Sequence, residues 1–269
     1  MSSSTLPNLN AKPELFFQSL NGTGNETALL IHGGFGSNKE WDNVTPALIE
    51  NGYHVLLPDL PAHGQSVAIQ PFTVDYAAQL IFELIAKHAR NGSAHIVGLS
   101  IGAHVAACVA ERGGPDHVLS VIASGYNVFQ PPRFTVPLFA PPVFFLLHLV
   151  NAATDLRAEL AAWQNGEASY ALIKEMTRTI VQSREIGDIH IRLLAVASAS
   201  TDTWLSKDRP GSSKRLLEAV VGGRENGSRA VMHHSIRHSW HIEEPALFGA
   251  LILAWIRDEA LDNKFKDVE

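Results

Sequence analysis

The sequence predicts an α/β fold, with a mostly parallel central sheet and helices on both of its faces. Strand-like and helix-like segments alternate along the chain, which is typical of parallel sheets. Residues 28–31, Ala-Leu-Leu-Ile, are all apolar, as expected for a strand that is buried on both faces. The chain has 269 residues, of which 46% are hydrophobic. It can therefore bury a large core within one unit.

The elements follow one another in a regular order. After the strand at 28–31, a glycine-rich turn leads to Ser37-Asn38-Lys39-Glu40. These four residues have the form of a capping box, which predicts a helix that runs to Asn51. The alternation then continues with a strand at 54–57, an amphipathic helix at 74–90, a strand ending at 97, a helix at 101–112 and a strand at 118–122.

The alternation stops between residues 127 and 189. This segment is rich in proline at first and then carries apolar residues at near-helical spacing. Strands resume at 191–196 and 229–232, and a final helix begins near Pro245. The tail after Arg257 is expected to be a solvated helix end.

These boundaries predict two domains. Residues 1–126 and 190–269 form the α/β core, and residues 127–189 form a helical lid (cap) inserted into it. The most apolar part of the lid, residues 134–150, contains three prolines. It is also shorter than the ~20 residues that are needed to cross a bilayer, so we expect no membrane span.

Composition excludes several classes of partner. The net charge is −6 and no basic run is present, which argues against binding to nucleic acid or to an anionic membrane surface. The N-terminal residues lack the basic and apolar regions of a signal peptide. The single cysteine, Cys108, excludes an intramolecular disulfide. We expect a cytoplasmic protein, either a monomer or a homodimer.

The pentapeptide Gly98-Leu99-Ser100-Ile101-Gly102 lies between a predicted strand and a predicted helix. A serine at such a sharp turn adopts a strained conformation, and glycines on either side allow the backbones to approach closely. The serine hydroxyl then lies at the positive end of a helix, where a developing oxyanion is favoured. Ser100 is therefore a candidate nucleophile.

A histidine-rich segment precedes the last helix. Residues 233–241 contain four histidines, at positions 233, 234, 238 and 241. No cysteine or carboxylate accompanies them at ligand spacing, and we therefore predict no metal site here.

Four motifs together resemble the α/β-hydrolase superfamily over about residues 27–258. They are His32-Gly33-Gly34, the Asp-Leu-Pro-Ala-His-Gly-Gln-Ser turn at 59–66, the pentapeptide around Ser100, and His238-Ser239-Trp240. The chain is similar to the lid-bearing branch, which includes esterases and carbon–carbon bond hydrolases. That resemblance implies an α/β-hydrolase fold with the helical lid inserted after the sixth strand.

The resemblance also implies the roles of individual residues. Ser100 would be the nucleophile and His238 the general base, whereas His241 would be structural. The oxyanion hole would consist of the backbone N–H groups of Gly34 and Ile101, with Phe35 as the fallback for Gly34.

The catalytic acid should lie between the serine and the histidine in chain order. Asp202 follows the strand at 191–196 and is the preferred candidate. Asp208, six residues later, is the alternative. Either carboxylate would fix the tautomer of the imidazole and stabilise its protonated form.

The apolar lid favours an apolar or aromatic acyl substrate, and no cofactor is required. The predicted pocket residues are Phe35, Phe139, Phe144 and Trp240. We expect a serine hydrolase, similar to carboxylesterases, that acts on a small to medium ester or thioester. The alternatives are a carbon–carbon hydrolase of a diketone-like substrate and a ligand receptor on the same scaffold.

Overall fold

The structure is a computed structural model that describes residues 13–128, 170–181, 186–200 and 208–269. One sheet contains the eight described strands: β1 (Phe17–Leu20), β2 (Thr27–Ile31), β3 (His54–Pro58), β4 (Ala94–Leu99), β5 (Val118–Ser124), β6 (Leu193–Ser198), β7 (Arg229–His233) and β8 (Lys266–Asp267).

The described α-helices are α1 (Thr45–Glu50), α2 (Val74–His88), α3 (Ile101–His117), α4 (Tyr170–Val181), α5 (Pro210–Glu218), α6 (Trp240–Glu243) and α7 (Pro245–Ile256). Short 3-10 helices occur at Asn38–Trp41, Gly64–Ser66, Arg90–Gly92 and Gly223–Asn226. Within the described residues, no helix combines the length and the apolar character that crossing a membrane would need.

The strand order is β1-β3-β2-β4-β5-β6-β7-β8. Strands β2 to β7 pair in parallel, whereas β1 and β8 run antiparallel to their neighbours at the two edges. Alternate residues of β2 enter two separate cores. Leu29 and Ile31 pack with residues of α2 and α3, and Leu30 packs with residues of α1 and α7. The predicted α/β fold with helices on both faces is confirmed.

The predicted capping box is wrong. Instead of one helix from residue 38 to 51, the structure has the 3-10 helix Asn38–Trp41 and the separate helix α1, which has Pro46 in its first turn. Ser37 accepts a hydrogen bond from the Lys39 N–H at 3.4 Å. Glu40 does not return a bond to Ser37, because its carboxylate turns inward and accepts the N–H of Gly33.

The C-terminal tail also differs from its prediction as a solvated helix end. Lys266–Asp267 form β8, which pairs with β7, and the flanking side chains of Phe265 and Val268 are buried. The tail therefore completes one edge of the sheet.

The chain leaves the sheet after β5, which is the fifth described strand rather than the sixth, and re-enters at β6 beside it. Helix α4 lies within this insertion. Most of the predicted lid, residues 129–169 and 182–185, lies outside the described residues. The boundaries of the lid therefore remain a prediction.

The approach of α3 to β2 depends on Gly102. A Cβ atom at Gly102 would lie 2.5 Å from the carbonyl oxygen of Ile31 and 2.6 Å from that of His32. Because both contacts are with backbone, Gly102→Ala should lower the free energy of unfolding by about 1–3 kcal/mol, as measured by urea denaturation. The control is Gly211→Ala, where a Cβ meets nothing within 4 Å. A Gly102→Ala variant as stable as wild type would contradict this packing.

Candidate active site

Ser100 occupies the turn between β4 and α3 and has φ 54° and ψ −116°. A positive φ at a residue other than glycine costs of order 1–3 kcal/mol and occurs where the surroundings enforce it. Two contacts enforce it here. The Ser100 N–H donates to the carbonyl of Ser124 at 2.8 Å, and Gly98 lies so close to Gly102 that a Cβ at Gly98 would be 2.3 Å from the Gly102 oxygen. The strained turn that the sequence predicts is present.

The two predicted oxyanion donors lie on neighbouring segments. The N–H of Ile101 belongs to the first turn of α3. Gly34 is adjacent, since a Cβ at Gly34 would lie 3.8 Å from Ile101 Cγ2. Neither N–H donates a hydrogen bond to another described residue. Within the described part of the chain, both groups are thus left without an internal acceptor.

The orientation of the Gly34 N–H is fixed through His32. The Leu60 N–H donates to His32 Nε2 at 2.9 Å, so the ring proton must be on Nδ1. Nδ1 in turn donates to the carbonyl oxygen of Gly33 at 2.7 Å. In a trans peptide the C=O and the following N–H point in opposite directions. The Gly34 N–H therefore points away from His32.

His238 is bound to a carboxylate, and that carboxylate belongs to Asp208. His238 Nδ1 lies 2.6 Å from Asp208 Oδ1. The other oxygen, Oδ2, accepts the N–H and the hydroxyl of Ser198 at 2.8 and 2.7 Å. Asn127 Nδ2 also donates to Oδ1, at 2.8 Å. Four donors thus hold Asp208, which is only 2% exposed.

This environment sets the protonation of both groups. Burial alone raises the pKa of Asp208, but the hydrogen bond and charge of His238 and the two bonds from Ser198 outweigh burial and lower it. Burial alone lowers the pKa of His238, but the hydrogen bond and charge of Asp208, together with the charge of Glu40, outweigh burial and raise it. Asp208 is therefore a carboxylate that stabilises the protonated form of His238.

The imidazole of His238 lies beside the Ser100 turn. Gly125 has φ 70°, and a Cβ there would be 2.6 Å from His238 Cε1. The preceding residue, Ser124, accepts the Ser100 N–H. Gly125 thus leaves the space that the imidazole occupies next to the candidate nucleophile.

Asp208 replaces Asp202 as the partner of His238. Asp202 lies outside the described residues. His238 has one Nδ1–H to donate, and at 2.6 Å Asp208 accepts it. Chain order could not separate the two candidates, because both follow β6 and precede His238. The deciding contacts come from Ser198 and Asn127, which are remote in sequence from His238.

Trp240, which the sequence analysis predicts to line the substrate pocket, is buried beside the end of β5. Its side chain is 0% exposed, its Nε1–H donates to Ser124 Oγ at 3.0 Å, and its ring packs 4.3 Å from that of Phe248. Trp240 therefore supports the strand end that holds Ser100. Of the other predicted pocket residues, Phe35 is half-buried with φ 63°, whereas Phe139 and Phe144 lie outside the described residues.

Met176 reaches the predicted oxyanion hole, although sequence analysis did not assign it to the site. It lies on α4, and a Cβ at Gly34 would be 1.9 Å from Met176 Cε. The side chain is buried. A residue of the inserted segment therefore provides an apolar border to the Gly34 N–H.

His233, His234 and His241 gather no metal-binding set in the described part of the chain. No group of three or more His, Cys, Asp or Glu residues there could hold a metal ion. His233 instead packs against Phe265, and His241 is buried between Trp41 and Phe248.

Comparison with known proteins identifies the family. Residues 28–204 match the family model described as alpha/beta hydrolase fold, and the chain therefore belongs to the α/β-hydrolase family. It is 42% identical over 254 residues to an AB hydrolase superfamily protein of Gibberella zeae, covering 94% of this chain and 87% of that protein. It is 30% identical over 215 residues to the pimeloyl-[acyl-carrier protein] methyl ester esterase of Sodalis glossinidius. This match covers 78% of this chain and 68% of that protein.

A shorter match is with ethanol acetyltransferase 1 of Cyberlindnera fabianii, at 37% identity over 117 residues, 42% of this chain and 34% of that protein. Among solved structures, an esterase from Exiguobacterium antarcticum has a TM-score of 0.69 at 14% identity, covering 90% and 95% of the two chains. A meta-cleavage product hydrolase from Pseudomonas fluorescens has a TM-score of 0.61 at 19% identity. The match covers 90% of this chain and 93% of that chain. These two structures share the fold.

The pairing of His238 predicts which aspartate matters for activity. Asp208→Asn should reduce kcat by about 10⁴-fold, because an amide no longer holds the imidazole in the correct tautomer. Asp202→Asn, the matched control, should retain activity close to that of wild type. The measurement is steady-state hydrolysis of p-nitrophenyl butyrate. The reverse pattern would return the acid role to Asp202.

Proposed function

We propose that this protein is a serine hydrolase that acts by acyl transfer, with Ser100 as nucleophile, His238 as base and Asp208 as acid. The observation that carries the proposal is the 2.6 Å contact between His238 Nδ1 and Asp208, next to a serine in a strained strand-to-helix turn. Nucleophile, base and orienting carboxylate are the three parts that such catalysis needs.

The proposed reaction has two stages. His238 Nε2 removes the hydroxyl proton of Ser100 as Oγ attacks the carbonyl carbon of the substrate. The resulting oxyanion accepts hydrogen bonds from the N–H groups of Gly34 and Ile101, each worth about 3–4 kcal/mol of the barrier in comparable sites. His238 then protonates the leaving alcohol or thiol. A water molecule, activated in the same way, hydrolyses the acyl-enzyme and regenerates Ser100.

The proposed substrates are esters or thioesters with a small to medium apolar acyl group. The apolar thioether of Met176 next to Gly34 supports this class, as does the esterase among the relatives. We also propose that α4 is part of a lid formed by residues 127–189, so that the insertion contributes to substrate selection.

The same acyl-enzyme could pass its acyl group to an alcohol instead of water. The relative named ethanol acetyltransferase favours this second candidate. Carbon–carbon hydrolysis of a diketone-like substrate would use the same three side chains. Parallel assays with p-nitrophenyl butyrate, butyryl-CoA and a vinylogous diketone, each with and without ethanol, separate these reactions. Ligand-induced thermal stabilisation without turnover would favour the receptor alternative.

The nucleophile is tested by labelling with a fluorophosphonate and locating the adduct by peptide mass spectrometry. The adduct should lie on Ser100 and be absent in Ser100→Ala, whose kcat should fall by at least about 10⁴-fold. The control is Ser235→Ala, because Ser235 is exposed and remote from the turn. Full activity in Ser100→Ala would refute the proposal.

The pH dependence of kcat/KM follows from the raised pKa of His238. The base must be neutral to accept a proton, so activity should be lost as the pH falls through this pKa. The midpoint of the acidic limb should therefore lie above about 6.5, the ordinary pKa of histidine. A midpoint below that value would contradict the environment described for His238.

A further inference from the structure

Glu40 lies directly behind the loop that carries the predicted oxyanion donor. It is on the 3-10 helix Asn38–Trp41 and is buried. Its Oε2 accepts the Gly33 N–H at 3.0 Å. On the other side of the loop, Gly36 fits only because it has no side chain, since a Cβ there would be 1.9 Å from Glu40 Oε1. The carboxylate thus contacts the loop through both oxygens.

Only Gly33 separates Glu40 from the nucleophile. A Cβ at Gly33 would lie 3.7 Å from Glu40 Oε2 and also 3.7 Å from Ser100 Cβ. The triad proposed above does not use this carboxylate.

His241 is a second buried group that lies beside Glu40. Its Nε2 lies 3.6 Å from Glu40 Oε2, and the side chains of the two residues are 2% and 5% exposed. Neither ring nitrogen of His241 hydrogen-bonds to a described residue. Among the described residues, His241 therefore has Glu40 as a polar neighbour, although the two side chains form no hydrogen bond.

The surroundings of Glu40 keep its carboxylate ionised. Burial raises the pKa of Glu40, but the interaction with His241 and the hydrogen bond from the Gly33 N–H outweigh burial and lower it. Glu40 is therefore ionised at neutral pH. A buried ionised group needs hydrogen-bond donors, and the Gly33 N–H is one of them.

We propose that Glu40 is a positioning residue for the oxyanion hole. This inference rests on the proposed serine hydrolase function. Glu40 does not touch the substrate. It acts through Gly33, whose N–H it holds while His32 holds the Gly33 carbonyl. With both polar groups of Gly33 fixed, the next peptide cannot rotate, and the Gly34 N–H keeps its direction.

A second effect of Glu40 is electrostatic. The charged groups that act on His238 are Asp208 and Glu40, and the charge of Glu40 contributes to raising the pKa of His238. Glu40 itself faces His32 and His241. Removing the charge of Glu40 should therefore lower the pKa of His238 and move the acidic limb of the pH profile to lower pH.

The test compares Glu40→Ala, Glu40→Gln and the control Asp42→Asn, which removes an exposed carboxylate two residues away. For each variant we would measure kcat and KM for p-nitrophenyl butyrate, the pH profile, the affinity for an alkyl trifluoromethyl ketone, and thermal stability. The ketone forms a tetrahedral adduct with the serine, whose oxyanion occupies the hole. Its affinity therefore reports on the hole itself.

In Glu40→Ala, kcat and the affinity for the ketone should both fall by at least about tenfold, whereas KM should change much less, because the lost interaction matters in the transition state. Glu40→Gln keeps an oxygen acceptor for the Gly33 N–H and should restore most of kcat. Its acidic limb should nevertheless shift to lower pH. Asp42→Asn should match wild type in every measurement.

Unchanged kcat and ketone affinity in folded Glu40→Ala would overturn the positioning role. If Glu40→Ala does not fold, Glu40→Asp decides, because its side chain is one carbon shorter, and unchanged kcat and ketone affinity in that variant overturn the proposal. Fluorophosphonate labelling of wild type at Ser100 keeps the two proposals distinct. Labelled wild type with normal Glu40 variants refutes only the positioning role, whereas wild type that is neither labelled nor active refutes both proposals.

Discussion

The close contact between β2, β4 and α3 is the constraint on which the rest of the site depends. Gly98 and Gly102 have backbone atoms where any other residue would have a side chain. This contact forces Ser100 into its strained turn and brings the start of α3 against the loop after β2. The candidate nucleophile and both candidate oxyanion donors therefore owe their proximity to two missing Cβ atoms.

Around this contact, the carboxyl ends of the strands hold a layer of buried polar groups. Asp208 is held by four donors, and Glu40 by the Gly33 N–H and the nearby His241. A buried polar group that is fully hydrogen-bonded stiffens its surroundings, whereas one that loses a partner destabilises them. The four bonds to Asp208 therefore hold this carboxylate and the bound His238 in place, and Met176 of α4 packs against Gly34 nearby.

Sequence analysis predicted the parts of the site whose cause is local. The turn at Ser100 and strand β2 are specified by residues that are adjacent in the chain, so their patterns can be recognised in the sequence. Asp208 was ranked second because its partners come from the segment after β5, from β6 and from the segment before α6. Glu40 was misassigned because a glutamate three residues after a serine matches the pattern of a capping box. Its carboxylate binds the N–H of Gly33 instead, and this contact is not visible in the local pattern.

The last strand, β8, affects how much of the edge of the sheet at β7 is exposed. An uncovered strand at the edge of a sheet offers free N–H and C=O groups to any extended chain, including a second copy. β8 occupies that position along Val231 and Met232 of β7, with an ion pair from Arg229 to Asp267. A two-residue strand thus covers Val231 and Met232 at this edge of β7, and the buried side chains of Phe265 and Val268 hold it in place.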